Sequence, residues 1–320
     1  MNKARFILII LFAQICILTS GQADSATSRI ILGYPVYSQY LNNGLVINPA
    51  YAGSRDALSL MSSYRKQWIG IKNAPEVYNL SLHTPLKGDK IALGLNAQYF
   101  KYGVTNSYSI YTIYAYQIRF TRGVLSFGLK AGVDMSNTDY SNLVLFDKPD
   151  EAFETAEKPY RLFNVGAGVY YSGSRFFGGL SVPAFLFHKN VGNGETQIYH
   201  SFSEYNFIIT TGGLIPISSG FKFKPSMLLD VSMHGTKKIN QLDLNGNFII
   251  SDIFWIGGAW RTTEQVAVGL LQVQIKPQLM FGISYDYPFG RMSSYSRGSS
   301  ELFIRYEFGS KVSAANPRYF

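Results

Sequence analysis

The side chains of this chain best suited to proton transfer or metal binding are four histidines, His83, His188, His200 and His234, and they are widely scattered. No His-Glu-x-x-His run sets two imidazoles one helical turn apart for zinc. Gln241-x-Asp243-x-Asn245-Gly246 has the oxygen donors of a calcium loop. Leu242, Leu244 and Phe248 interleave with them, however, which is the pattern of a strand with one polar face. Gly179-Leu180-Ser181-Val182-Pro183 ends in proline where a nucleophile elbow needs glycine, and it lies within an alternating run. There is no Gly-rich phosphate loop ending in Lys-Ser/Thr and no dinucleotide fingerprint. The segment 147–158 gathers Asp147, Asp150, Glu151, Glu154 and Glu157. Carboxylates suit hard cations, but a solvated surface loop explains the cluster better. The expectation is a protein that is not an enzyme, with no catalytic residue, metal or cofactor.

Cysteine chemistry is excluded for the exported chain. The single cysteine, Cys16, lies in an apolar run from Phe6 to Leu18 that follows Lys3 and Arg5 and precedes Thr19-Ser20-Gly21. That is the layout of a signal peptide over 1–21, and the run is too short to cross a bilayer. Ile15 stands where a lipoprotein signal wants a small residue, so lipidation of Cys16 is not expected. The formal charge is +9, and +7 once Lys3 and Arg5 are gone. No basic cluster is longer than two residues, which argues against nucleic acid and for lipid or lipopolysaccharide headgroups as the facing anions.

Composition then points to the elements. Charged residues make up 15%, well below the roughly 25% of soluble domains. Aromatics also make up 15%, with 23 Tyr and 23 Phe, and glycine is frequent. Past the signal no apolar run is long enough for a membrane helix, so a closed barrel is the membrane-compatible architecture left. The chain alternates at period two. Ile91, Leu93, Leu95, Ala97 and Tyr99 oppose Ala92, Gly94, Asn96 and Gln98, and Leu279, Phe281, Ile283 and Tyr285 oppose Met280, Gly282 and Ser284. The expected strands lie near 57–66, 76–85, 90–100, 104–118, 124–134, 161–171, 175–185, 204–217, 221–231, 239–250, 253–262, 265–275, 278–287 and 300–308. That makes an all-β fold, a transmembrane antiparallel barrel of about fourteen strands, an even number as in bacterial outer-membrane barrels.

Tight connections alternate with longer ones such as 135–160, 186–203 and 288–299. Both termini and the tight turns are therefore expected in the periplasm, with the long loops outside. Tyr108, Tyr111, Tyr114 and Tyr116, with Trp255 and Trp260, are expected in the aromatic girdles. The inward positions Gly94, Gly128, Gly132, Gly166, Gly168 and Gly282 are small where a water-filled porin would carry charge. The segment 22–53 is the candidate to fill that space, as a plug or periplasmic segment. Its rigid end is Asn48-Pro49-Ala50-Tyr51-Ala52-Gly53, read as the corner into the first wall strand. The expected organisation is a signal peptide at 1–21, an N-terminal segment at 22–56, the barrel at 57–308 and a periplasmic tail at 309–320.

The run "INPAYAGSRDALSLMSSYRKQWIGIKNAPEVYNLSLHTPL" (47–86) resembles the start of the PorP/SprF family of type IX secretion outer-membrane proteins. "FFGGLSVPAF" (176–185), "FKFKPSMLLDVS" (221–232), "LDLNGNFIISDIFWIGGAWR" (242–261) and "FGISYDYP" (281–288) fit the same family. In the closing "SSELFIRYEF" (299–308), Ser300 stands where members often show a histidine. The residues carrying the resemblance are Asn48, Pro49, Ala50, Tyr51, Gly53, Arg65, Gln67 and Trp68. The resemblance implies an outer-membrane accessory of type IX secretion. Its cargo would be secreted proteins with a C-terminal sorting domain, often large adhesins, and some members are tied to gliding. Its partners would be other components of that system in the periplasm and outer membrane. A reading from a different class is an outer-membrane channel or transporter of hydrophobic small molecules.

Overall fold

The computed structural model describes residues 36–86, 88–139, 160–192, 195–232 and 238–309. The expected signal peptide, residues 22–35, the acidic run 147–158, His234 and nearly all of the expected tail 309–320 lie outside them.

One antiparallel sheet dominates. In chain order its strands are β1 Leu58–Lys66, β2 Glu76–Pro85, β3 Ile91–Tyr102, β4 Thr105–Phe120, β5 Gly123–Thr138, β6 Tyr160–Gly173 and β7 Phe176–Val182. A small separate hairpin follows, β8 Phe187–Gly192 with β9 Glu195–Tyr199. The sheet resumes with β10 Asn206–Gly213, β11 Ile215–Ser218, β12 Phe221–Ser232 and β13 Lys238–Ile250. It ends with β14 Phe254–Arg261, β15 Val266–Lys276, β16 Leu279–Pro288 and β17 Ser299–Phe308. Strands β10 and β11 both pair with β12 and are two parts of one wall strand, broken at Leu214. Every wall strand pairs with its sequence neighbours, and β1 pairs with β17 from Leu58↔Phe308 to Lys66↔Ser300. The wall is a closed fourteen-stranded barrel.

Alternation explains why these residues close into a barrel. In β4 the outward Tyr108, Ile110, Tyr114, Tyr116 and Ile118 are exposed, while Tyr111, Ile113, Ala115 and Gln117 between them are buried. In β17 the exposed Leu302 and Ile304 alternate with buried Glu301, Phe303, Arg305 and Glu307. The outer band is thus apolar and the inner face largely polar, the arrangement that suits lipid outside and a filled lumen inside. Tyr64, Tyr78, Tyr99 and Tyr108 are successive cross-strand partners on β1 to β4 and form a ladder, with ring centroids 4.6, 6.0 and 4.9 Å apart.

Two members of the expected girdle are not in it. Tyr111 is 6% exposed and donates to Asp134, and Trp255 is 7% exposed with Lys224 over its ring. Both sit at inward parity on their strands. Trp260, on the opposite parity of Trp255's strand, faces out at 40% exposure.

Candidate functional site

The barrel has two mouths. At one, β1 begins, β17 ends and the connections at 121–122, 174–175 and 219–220 are tight; at the other lie the longer connections at 67–75, 183–205 and 289–298. Residues 36–57 run between these mouths through the lumen.

The segment's first residues, 36–40, sit near the long-loop mouth. Ser38 is their centre. Its backbone N–H donates to Glu301 Oε2 at 2.7 Å, and the next amide, of Gln39, donates to Glu301 Oε1 at 3.3 Å. The Ser38 hydroxyl contacts both Asp286 oxygens at 2.8 and 2.9 Å and receives Arg65 Nη1 at 2.9 Å and Arg261 Nη2 at 3.3 Å. Flanking it, the Tyr37 hydroxyl donates to Gln98 at 2.6 Å, and the Tyr40 hydroxyl meets Asn245 Nδ2 at 2.6 Å. Tyr37 and Tyr40 are 8% and 2% exposed.

The charges around Ser38 are also paired with one another. Arg65 reaches Asp286 at 2.6 Å and Glu301 at 3.4 Å. Arg261 reaches Asp243 at 3.2 Å, Glu264 at 3.2 Å and Asp286 at 3.4 Å. Both arginines are 1% exposed. Charges this deep are tolerated because each guanidinium fork meets several carboxylate oxygens.

Further down, the segment makes two short 3-10 turns, Gly44–Val46 and Pro49–Tyr51. Asn48 caps the second, its side chain accepting from the Ala50 N–H at 2.9 Å while Pro49 takes the first helical position. The Asn48 amide also donates to Val169 O on β6 at 3.0 Å. Three wall glycines admit this turn, Gly179 of β7 beside the Asn48 amide nitrogen among them. A Cβ on Gly128 would lie 2.1 Å from Ala50 N, and one on Gly168 would lie 2.2 Å from Asn48 Oδ1. The remaining inward glycines expected from the sequence serve the wall itself. Gly282 leaves room for the Phe303 ring, Gly132 for the Tyr111 backbone and ring, Gly166 for the Pro183 carbonyl and Gly94 for Ile113 and Leu82.

Tyr51 is 3% exposed and packs edge-on to His83 and Tyr170, with centroids at 5.6 and 5.5 Å. Gly53 has φ +76 and its N–H donates to His83 Nδ1 at 3.1 Å; a side chain there would meet Ala92 and Gln117. Ala52 and Ala50 are fully buried. Near the tight-turn mouth the Glu307 carboxylate lies between Arg55 at 3.7 Å and Arg305 at 3.3 Å, and Asp56 pairs with Arg119.

Of the sequence-predicted residues, Asn48, Pro49, Ala50, Tyr51 and Gly53 therefore gather in the lower lumen, and Arg65 joins the upper network. Gln67 and Trp68 lie beyond β1 in the long-loop connection. The Gln67 N–H donates to Pro75 O, and Trp68, at φ +48, donates its N–H to Ser299 Oγ. Sequence reasoning missed Ser38, Asp243, Arg261, Asp286 and Glu301. The available signal was parity, since each of the four charged residues shares the parity of the buried, inward positions of its strand. Among the described residues no cluster of His, Cys, Asp or Glu is placed to hold a metal.

A family model described as type IX secretion system membrane protein PorP/SprF matches residues 31–306. The curated proteins give no match. Among solved structures, the Ralstonia pickettii toluene transporter TbuX aligns with TM-score 0.49 and 8% identity over 83% of this chain and 93% of its own. The CymD monoaromatic hydrocarbon channel aligns with TM-score 0.48 and 13% identity over 85% and 93%. The Acinetobacter baumannii outer membrane protein Omp33 aligns with TM-score 0.44 and 8% identity over 79% and 98%.

Proposed function

The chain belongs to the PorP/SprF family of type IX secretion system membrane proteins, and from that premise we propose an accessory role in handing exported proteins to the cell surface. It is an outer-membrane β-barrel of the type IX secretion system. The finer reading is that it holds or attaches cargo carrying a C-terminal sorting domain, such as a large gliding adhesin, together with other components of the system.

One observation carries this reading over an open channel: the lumen is occupied by the protein's own residues 36–57. Tyr40, Leu45, Ala50 and Tyr51 are each at most 3% exposed. A barrel so filled is suited to docking rather than to free diffusion of solutes. In this reading the segment is a plug anchored by residues 48–53, the tight-turn mouth faces the periplasm, residues 1–21 are removed and residues 309–320 form a periplasmic tail. The girdle tyrosines and scattered basic side chains meet lipid and lipopolysaccharide.

The test is to delete the gene and follow surface adhesins and the conductance of the purified barrel. Loss of surface cargo, with low conductance in planar bilayers, is the expected result. Normal cargo display beside high, solute-selective conductance would replace the docking role with transport.

A further inference from the structure

The site around Ser38 has the character of a receptor whose present occupant is the protein's own chain. Four features of described residues lead there. First, among the described residues, positions 36–40 form no strand pairing with the wall, so wall side chains hold them in place of a β-ladder. Second, these side chains read peptide features. The Glu301 carboxylate accepts two consecutive backbone N–H groups, and Asp286, Arg65 and Arg261 converge on one small hydroxyl. Third, Gln98 and Asn245 meet the phenols of Tyr37 and Tyr40, one on each side of that hydroxyl.

Fourth, the wall charges do not need the segment for their own pairing. Arg65–Asp286, Arg65–Glu301, Arg261–Asp243 and Arg261–Asp286 join wall strands to one another. If residues 36–40 left, the site would keep its charges in place, and preorganisation of that kind favours rebinding of a peptide. The lower half of the segment lacks this independence, because its backbone is fitted between Gly128 and Gly168.

We propose that the long-loop mouth is a binding site for a peptide that bends at a small hydroxyl residue set between two aromatic ones. Residues 36–40 occupy it as an internal competitor that an exported partner's peptide displaces. This rests on the docking role above, since it names where in the barrel a partner would engage. The recognition is by hydrogen bonding and ion pairing, so no covalent step is involved.

The experiment uses full-length protein in planar bilayers and a peptide of residues 36–41, acetylated and amidated. Ser38→Glu forces a longer, charged side chain into the space where Asp286, Arg65 and Arg261 close on one small hydroxyl, and should release the segment's first residues, raising conductance. Peptide added from the long-loop side should then block the current saturably. A peptide with alanine in place of its serine should bind about tenfold or more weakly, having lost its hydrogen bonds to charged groups. Heat-modifiable gel migration reports whether Ser38→Glu folds. If it does not, the double variant Tyr37→Phe with Tyr40→Phe loosens the same residues without new charge, and binding is read by peptide fluorescence anisotropy. Absence of saturable binding to a folded, loosened variant overturns the proposal, as does equal binding of both peptides. Cargo display plays no part in the readout, so a failed secretion role and a failed peptide site give different results.

Discussion

The two halves of the lumenal segment are held in different proportions of charge and shape. Residues 36–40 are fixed by hydrogen bonds and charge to side chains of β1, β3, β13, β14, β16 and β17, whereas residues 48–53 combine a few neutral hydrogen bonds, to Val169 O, Gln117 and His83, with a close steric fit. The upper contacts are directional and individually exchangeable, because another peptide presents the same amides and a similar hydroxyl. The lower contacts are chiefly steric and local to one backbone path, with Ala50 N where any side chain on Gly128 would stand. A segment built this way is free to yield at one end while staying anchored at the other.

The contrast breaks most visibly if charge is removed from the upper half. Arg65→Ala leaves Asp286 and Glu301 without one of their cations and should cost on the order of 3–5 kcal/mol. The measurement is the temperature at which the heat-modifiable gel band converts; an unchanged temperature would mean that the network contributes nothing. Tyr51→Ala attacks the lower half by emptying the space between His83 and Tyr170, at about 3–5 kcal/mol. Its signature should be a higher basal conductance together with the lower conversion temperature.

Gly128→Ala sharpens the comparison, because the added methyl meets backbone atoms that cannot swing aside. A cost of about 1–3 kcal/mol is expected, as for overpacking, and Ser38→Ala should cost no more than about 1–2 kcal/mol. Conductance traces should separate the two. Gly128→Ala should give persistent opening that added peptide leaves unblocked, and Ser38→Ala brief openings.

Much of the wall was legible because period two is a local signal. The alternation in 90–100 and 278–287 marks β3 and β16 to within two residues at each end, and the tight connections fix which strands are neighbours. Parity also held the information that Tyr111 is not a girdle residue: Tyr108, Tyr114 and Tyr116 occupy even positions and Tyr111 an odd one. Trp255 and Trp260 differ in the same way. What no local pattern could supply is the meeting of positions 38, 65, 243, 261, 286 and 301, which only closure of the sheet brings together. Nor could small size alone tell which inward glycines face the segment, since Gly282 is filled by its neighbour Phe303 and Gly128 by Ala50.

The seam between β1 and β17 joins the beginning of the wall to its end. A ring whose last member is made last cannot shut until that strand has been made and exported, whereas residues 36–57 precede every wall strand. Order of events therefore becomes part of the design: residues 36–57 are made in time for the wall to close around them, whereas after β17 docks on β1 the way in is along the axis, through a mouth. Closing the wall around a segment already in place spares that segment from threading a mouth lined by its own binding partners.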